Sequence, residues 1–272
     1  KSKDYNFLPH HPRPGHQDMV MHKRTKGEAD LRGGGMSSAR LTAPLVAAAA
    51  FVAPLLAPLG IKAEAQVGAI GNVEAGEMEH QPARWSTDAC KEMRCRDPDA
   101  AEAMVNLVES QRMNLNSIGS RVDLIVTGTP LGLGEPWFDG IEPAMARAMM
   151  SIPAARGVTF GRGFDVVNMT GLQHNDAWGG SPESPTPLGE RPDGVLAGLA
   201  TSAPIRCSVA FKPPSSIASE QKTLHLESGA IEPLTVKGRH DPVLGPRAVA
   251  VVEAMAILVL TDLALRGGFI DG

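Results

Sequence analysis

The chain has 272 residues, a formal net charge of −4, 43% hydrophobic residues and only 4% aromatics. That balance leaves no global basic field for wrapping nucleic acid, and the apolar content is too high for a disordered chain. Three cysteines, Cys90, Cys95 and Cys207, are too few for a disulfide-stapled secreted scaffold and fit a reducing compartment.

Residues 1–30 read as irregular, with Pro9, Pro12 and Pro14 spaced through them. Ser37 and Ser38 offer an N-cap for a helix through about Ala53. The uncharged run at 41–60 has the length of a bilayer span, but Pro44, Pro54 and Pro58 interrupt it and alanine dominates it; a buried core helix is expected there. A short strand is expected over 67–73. Apolar residues at helical spacing, with Pro98 at the start, predict a helix over 97–117. Alternation predicts a strand over 121–128, and Pro143 opens a helix to Ser151. Residues 158–160 and 164–169 read as strands. Residues 176–193, rich in Pro, Gly and Ser, read as a flexible loop of the kind that serves as a functional lid or is disordered. A strand at 205–212 and a long helix at 247–265 complete the chain. Short strands alternating irregularly with helices predict an α+β fold in one domain, 1–272.

Charge is uneven. Residues 1–40 hold eight Lys/Arg against four Asp/Glu, and four of the eight histidines: His10, His11, His16 and His22. Beside Gly33, Gly34 and Gly35 this segment reads either as an anion site or as a solvated basic arm. Arg13-Pro14-Gly15-His16 places a guanidinium and an imidazole on a tight turn. Residues 32–40 run a glycine loop into a helix start, where free backbone N–H groups suit phosphate or carboxylate. Residues 212–216, KPPSS, bring a cation and two hydroxyls after a strand, or form an ordinary turn. Arg239-His240-Asp241 packs three chemistries together, or is a surface charge cluster. The four early histidines show no spacing that converges on one face, and Cys90 and Cys95 have no matching Cys/His pair, so no metal site is expected. No nucleotide P-loop, dinucleotide fingerprint or G-x-S-x-G is present.

Seven motifs in order carry a resemblance: RPGHQD (13–18), RGGGMSSAR (32–40), LGLGEPWFD (131–139), MSIPAARGVTFGRGF (150–164), HND (174–176), KPPSSI (212–217) and GRHDPVLGPRAVAVVEAM (238–255). Together they resemble the chorismate synthase family over nearly the whole chain. The resemblance implies a β-α sandwich with helices between two antiparallel sheets, a homotetramer and a cytoplasmic location. It implies a carbon–oxygen lyase of the shikimate pathway, in aromatic amino acid biosynthesis. That reaction is the anti-1,4-elimination of phosphate from 5-enolpyruvylshikimate 3-phosphate to give chorismate. Reduced FMN is the implied cofactor, with NADPH among the associated terms, although no NAD(P)H fingerprint is visible. The partner is a small-molecule substrate, not nucleic acid or a membrane.

Residue by residue, the resemblance implies that Arg13, Arg40 and Arg239 bind substrate, a phosphate with two carboxylates that calls for several guanidinium groups. His16 is implied as the acid for the departing phosphate, a role that suits an imidazole near neutrality. Asp241 is implied in proton removal. The loop at Met36, Ser37 and Ser38, together with Pro153, Ala154, Ala197, Lys212, Pro213, Pro214, Ser215, Ser216 and Arg239, is implied to contact the flavin. Met36 stands where the family's loop has Arg, Leu41 where it has Glu, and Ala197 where a glycine approaches the flavin. The family's N-terminal part, with a GESHG motif and a second catalytic histidine, has no counterpart in these residues. The alternative is a non-catalytic homologue or fragment with a structural or interaction role.

Overall fold

The computed structural model describes residues 2–81, 85–238 and 240–271. In chain order its regular elements begin with α1 (Asp18–Arg24), α2 (Ala43–Leu56), β1 (Lys62–Ile70), β2 (Val73–Glu74), α3 (Asp88–Met93) and α4 (Pro98–Met113). β3 (Ser120–Thr127), α5 (Ile141–Met150), β4 (Ala155–Phe160), α6 (Gly171–His174), β5 (Trp178–Ser181) and β6 (Ser184–Pro187) follow. The last are β7 (Val195–Leu196), β8 (Leu199–Ala200), β9 (Ile205–Phe211), β10 (Gln221–Leu224), β11 (Ile231–Leu234) and α7 (Gly245–Arg266).

One antiparallel sheet of five strands, in the order β2-β1-β3-β9-β4, carries the fold. Three two-stranded sheets, β5-β6, β7-β8 and β10-β11, stand apart from it. The α+β class is as expected. Period-two alternation turns Val122, Leu124 and Val126 of β3 and Cys207, Val209 and Phe211 of β9 into the core. Their neighbours Arg121, Asp123 and Ser208 face the other way and bond to one another, with Arg121 Nε on Asp123 Oδ1 at 2.8 Å and Ser208 Oγ on the same oxygen at 2.7 Å. Gly68 lies against this network where β1 bulges; a Cβ there would meet Asp123 Oδ2 at 1.8 Å, so the position admits no side chain.

The expected helices are present at shifted ends. In α4, Pro98 sits in the first turn and Asp97 accepts from the N–H groups of Asp99 and Ala100 at 3.1 Å, an N-cap that sets the start. α7 is the core helix: it packs on β1, β3 and α5, and Glu253 Oε1 accepts the N–H of Ala65 in β1 at 2.8 Å. Other expectations fail. Residues 1–30 are not irregular throughout, since α1 occupies Asp18–Arg24. Residues 164–169 do not form a strand; a 3-10 segment, Gly163–Asn168, occupies them, because left-handed glycines at 161 and 163 turn the chain away after β4. The apolar run at 41–60 is helical but is not a core helix. α2 packs on α7 through Ala49 and Leu56, while Phe51 is 85% exposed. Alanine fits either setting, which is why composition alone misplaced it.

Arg32–Leu59 and Gly245–Arg266 both have the length and apolar character of a span. The second is largely buried as the core helix, and left-handed glycines and 3-10 turns divide the first. Within the expected loop at 176–193, residues 178–187 form the β5-β6 hairpin, with a left-handed Gly180.

Leu260 of α7 is wholly buried among the sheet-facing residues. Leu260→Ala is expected to cost about 2–5 kcal/mol in denaturant unfolding; a loss below about 1 kcal/mol would show that α7 is not the centre of the core.

Candidate active site

Five segments far apart in sequence meet around a cavity of about 840 Å³. They are the turn at 15–17, the glycine loop and its exit at 36–42, the α5–β4 connection, the residues after β9, and the approach to α7. Backbone geometry brings them together. Gly15 (φ +65°) turns the chain so that its carbonyl accepts from Lys212 Nζ and from Ser215 Oγ at 2.8 Å. Lys212 N–H donates to the Ala154 carbonyl at 3.0 Å, and Ala154 itself adopts a left-handed φ of +72°. Ser117 Oγ pins the Pro214 carbonyl at 2.8 Å. The glycine triad carries left-handed φ at all three positions (64°, 88° and 49°), a shape that L-residues rarely adopt.

Of the residues singled out in the sequence, His16, Met36, Ser37, Ser38, Pro153, Ala154, Lys212, Pro213, Pro214, Ser215, Ser216 and Asp241 all line this cavity. The expected N-cap is real, with Ser38 Oγ accepting from Arg40 N–H at 3.4 Å, but it caps a 3-10 turn, Ala39–Thr42, ahead of α2. Met36 is 74% exposed and offers no charge. Asp241 Oδ2 is held by Arg247 Nη1 at 2.9 Å.

Four residues stand elsewhere. Arg239 lies outside the described residues. Ala197 does not reach the cavity: with φ +53° it forms the β7–β8 turn with Gly198, whose carbonyl accepts the first N–H of α5 from Ile141. Arg40 is exposed beside the glycine loop, its Nη1 3.8 Å from where a Gly33 Cβ would stand. Arg13 is only 5% exposed and is turned inward. Its Nε and Nη2 donate to Asp18 at 2.7 and 2.9 Å, and its Nη1 donates to Ser216 at 3.1 Å. The Tyr5 and Phe7 rings cover its face at 5.7 and 6.0 Å. A guanidinium so engaged supports the site from below and does not extend into the cavity.

Sequence reading missed Arg156. It lines the cavity near Lys212, and among the described residues neither forms an ion pair with a carboxylate. Burial and the Arg156 charge both hold Lys212 below the usual lysine range. Two neighbouring cations on one cavity draw an anionic ligand. The signal for Arg156 was present in its place in the MSIPAAR motif, but nothing local marked it as more than a strand residue.

Asp18 is fully buried. Burial alone would raise its carboxyl, but hydrogen bonds from Arg13 and His16 outweigh it and hold the group far below the usual carboxylate range. None of the three cysteines is among the residues lining the cavity, and burial pushes Cys207 up to about 12 and Cys95 up to about 11. His10 and His11 do converge, contrary to the expectation from spacing, but on His225, Glu227 and Glu232 of the distant β10–β11 hairpin. His225 Nδ1 accepts from Ser228 N–H at 3.1 Å.

Comparison with known proteins places the chain among related sequences. The family profile described as chorismate synthase matches residues 1–265. A chorismate synthase of Aeropyrum pernix is 42% identical over 265 residues, 96% of this chain and 69% of the relative. One of Methanosarcina mazei is 38% identical, over 100% of this chain and 74% of the relative. A crystal structure of a chorismate synthase superposes with a TM-score of 0.71 at 26% identity, covering 92% of this chain and 70% of that one.

A depressed carboxyl stabilises the fold above its unfolded value and loses that contribution as pH falls. The Arg13–Asp18 contribution is therefore complete only above about pH 5, more than a unit over the unfolded carboxyl value, and declines below it. The urea midpoint is expected to fall steadily between about pH 5 and pH 2.5; a constant midpoint across that range would contradict the pairing.

Proposed function

The chain belongs to the chorismate synthase family, whose activity is that of a carbon–oxygen lyase, and on that premise we propose that the cavity built around His16, Lys212, Arg156 and Asp241 is where the elimination takes place. The substrate is 5-enolpyruvylshikimate 3-phosphate, which carries a phosphate and two carboxylates. The observation that carries the assignment is the convergence of an imidazole, a carboxylate and two cations that have no carboxylate partner among the described residues on one cavity large enough for a cofactor and a small substrate. Ligand pockets of roughly 300–1,000 Å³ hold molecules of this size.

Reduced FMN fits the residues present. Lys212 and Arg156 supply positive charge, and Ser37, Ser38, Ser215 and Ser216 supply hydroxyls to the lining of the cavity. The left-handed glycine triad leads directly into that wall without a side chain to obstruct approach. These residues would hold the group; Met36 contributes an apolar contact in place of a charge. When bound, the reduced flavin supplies transient electron density to the reacting ring.

The chain's own residues do the rest. Lys212 and Arg156 bind and orient anionic groups. His16 delivers a proton to the departing phosphate as its C–O bond breaks. Asp241, fixed by Arg247, stands where the ring proton is lost. Arg40, at the rim of the glycine loop, guides the anionic substrate inward, and Ala197 acts at a distance, through the turn that seats α5. NADPH as reductant, a homotetramer and a cytoplasmic site of action belong to the same proposal, on the strength of the family resemblance. Nothing in the cavity or the relatives favours a non-catalytic homologue.

In an anaerobic assay of chorismate formation, His16→Gln and Asp241→Asn are each expected to lower kcat about 10²–10⁴-fold, the usual worth of a positioned acid or base. Arg156→Met is expected to raise KM with a smaller change in kcat, as loss of uniform binding does. Wild-type kcat in both His16→Gln and Asp241→Asn would overturn the assignment of the cavity.

A further inference from the structure

Asp18 has no part in the scheme above, yet it touches both of the residues that open the RPGH turn. Its Oδ1 lies 2.6 Å from His16 Nδ1 and 2.9 Å from Arg13 Nη2, while Arg13 Nη2 is also 3.1 Å from His16 Nδ1. One ring nitrogen cannot both donate to the carboxylate and accept from the guanidinium. Two lone pairs at 2.6 Å would repel, so Nδ1 carries a proton and Asp18 accepts it. The Arg13 N–H then goes to Asp18 as well. With Nδ1 committed inward, the opposite edge of the ring faces the glycine loop: Nε2 is 3.8 Å from where a Gly34 Cβ would stand. Gly34 leaves that approach open, and His16 lines the cavity there.

We propose that Asp18, braced by Arg13, is a positioning residue that fixes the neutral His16 ring as its Nδ1–H tautomer and presents Nε2 to the departing phosphate. The proposal rests on the reading of His16 as the acid. The ring acts as acid in its doubly protonated form: the Nε2–H bond breaks, that proton passes to a phosphate oxygen, and the neutral Nδ1–H ring is what remains. Nδ1 keeps its proton, and Asp18 stays a carboxylate throughout. Arg13 serves the reaction through Asp18, by holding both carboxylate oxygens, rather than by touching the substrate.

The test uses the full chain labelled with ¹⁵N-histidine, with the His16 ring signals assigned by their loss in His16→Gln. The wild type is expected to show the Nδ1–H tautomer in the neutral ring. Asp18→Asn is expected to disturb that tautomer and to lower kcat at least tenfold while KM for the substrate stays within about threefold. A neutral wild-type ring protonated on Nε2 would overturn the proposal, and this reading needs no variant to fold. A folded Asp18→Asn with wild-type kcat would overturn it too. Wild-type kcat in His16→Gln would instead remove the acid role and leave the tautomer to be judged on its own spectrum.

Discussion

The buried Arg13–Asp18 pair is the constraint on which the site depends. Two charges out of water are costly unless each is paired and hydrogen-bonded, and here the geometry meets that condition. Asp18 receives N–H groups from the Arg13 backbone and side chain and from His16, while Arg13 also reaches Ser216, 203 residues later. The pair therefore ties the N-terminal turn to the segment that follows β9. Removal of either partner would leave the other as an uncompensated buried charge, at a cost of roughly 3–5 kcal/mol. An irregular segment with few apolar contacts of its own is held in place by this interaction.

The scaffold beneath is conventional, and its regularity makes the cavity possible. β9 lies between β3 and β4, so the residues after it emerge beside the α5–β4 connection, where Lys212 N–H meets the Ala154 carbonyl. α7 covers the same sheet, and its approach delivers His240 and Asp241 to the lining of the cavity. Regular elements thus fix the position of loops that carry the chemistry, and positive φ at Gly15, the glycine triad and Ala154 gives those loops their shape.

Much of this was legible in the sequence. Strands β3 and β9 and helices α4, α5 and α7 follow from periodicity, proline and capping residues, since these are local signals. Twelve of the marked residues line one cavity because the motifs that contain them form its turns. The rest depended on information that no local window contains. Whether an alanine-rich helix is buried depends on what packs against it, and α2 packs mainly on α7. Alternation at 164–169 could not reveal the absence of a partner strand. Arg13 reads as a free cation until Asp18 and Ser216 are placed beside it, and Arg156 reads as a strand residue until Lys212 arrives from 56 positions away. Likewise, His10 and His11 have no meaning without the distant His225.

The central claim is that one cavity receives both substrate and cofactor. Hydrogen–deuterium exchange of the full chain, with and without reduced FMN and 5-enolpyruvylshikimate 3-phosphate, tests it most directly. Protection is predicted at 13–18, 32–42, 150–156, 212–216 and 240–244, the segments that surround the cavity. Protection confined to other surfaces, such as the β10–β11 hairpin or the outer face of α2, would contradict the account.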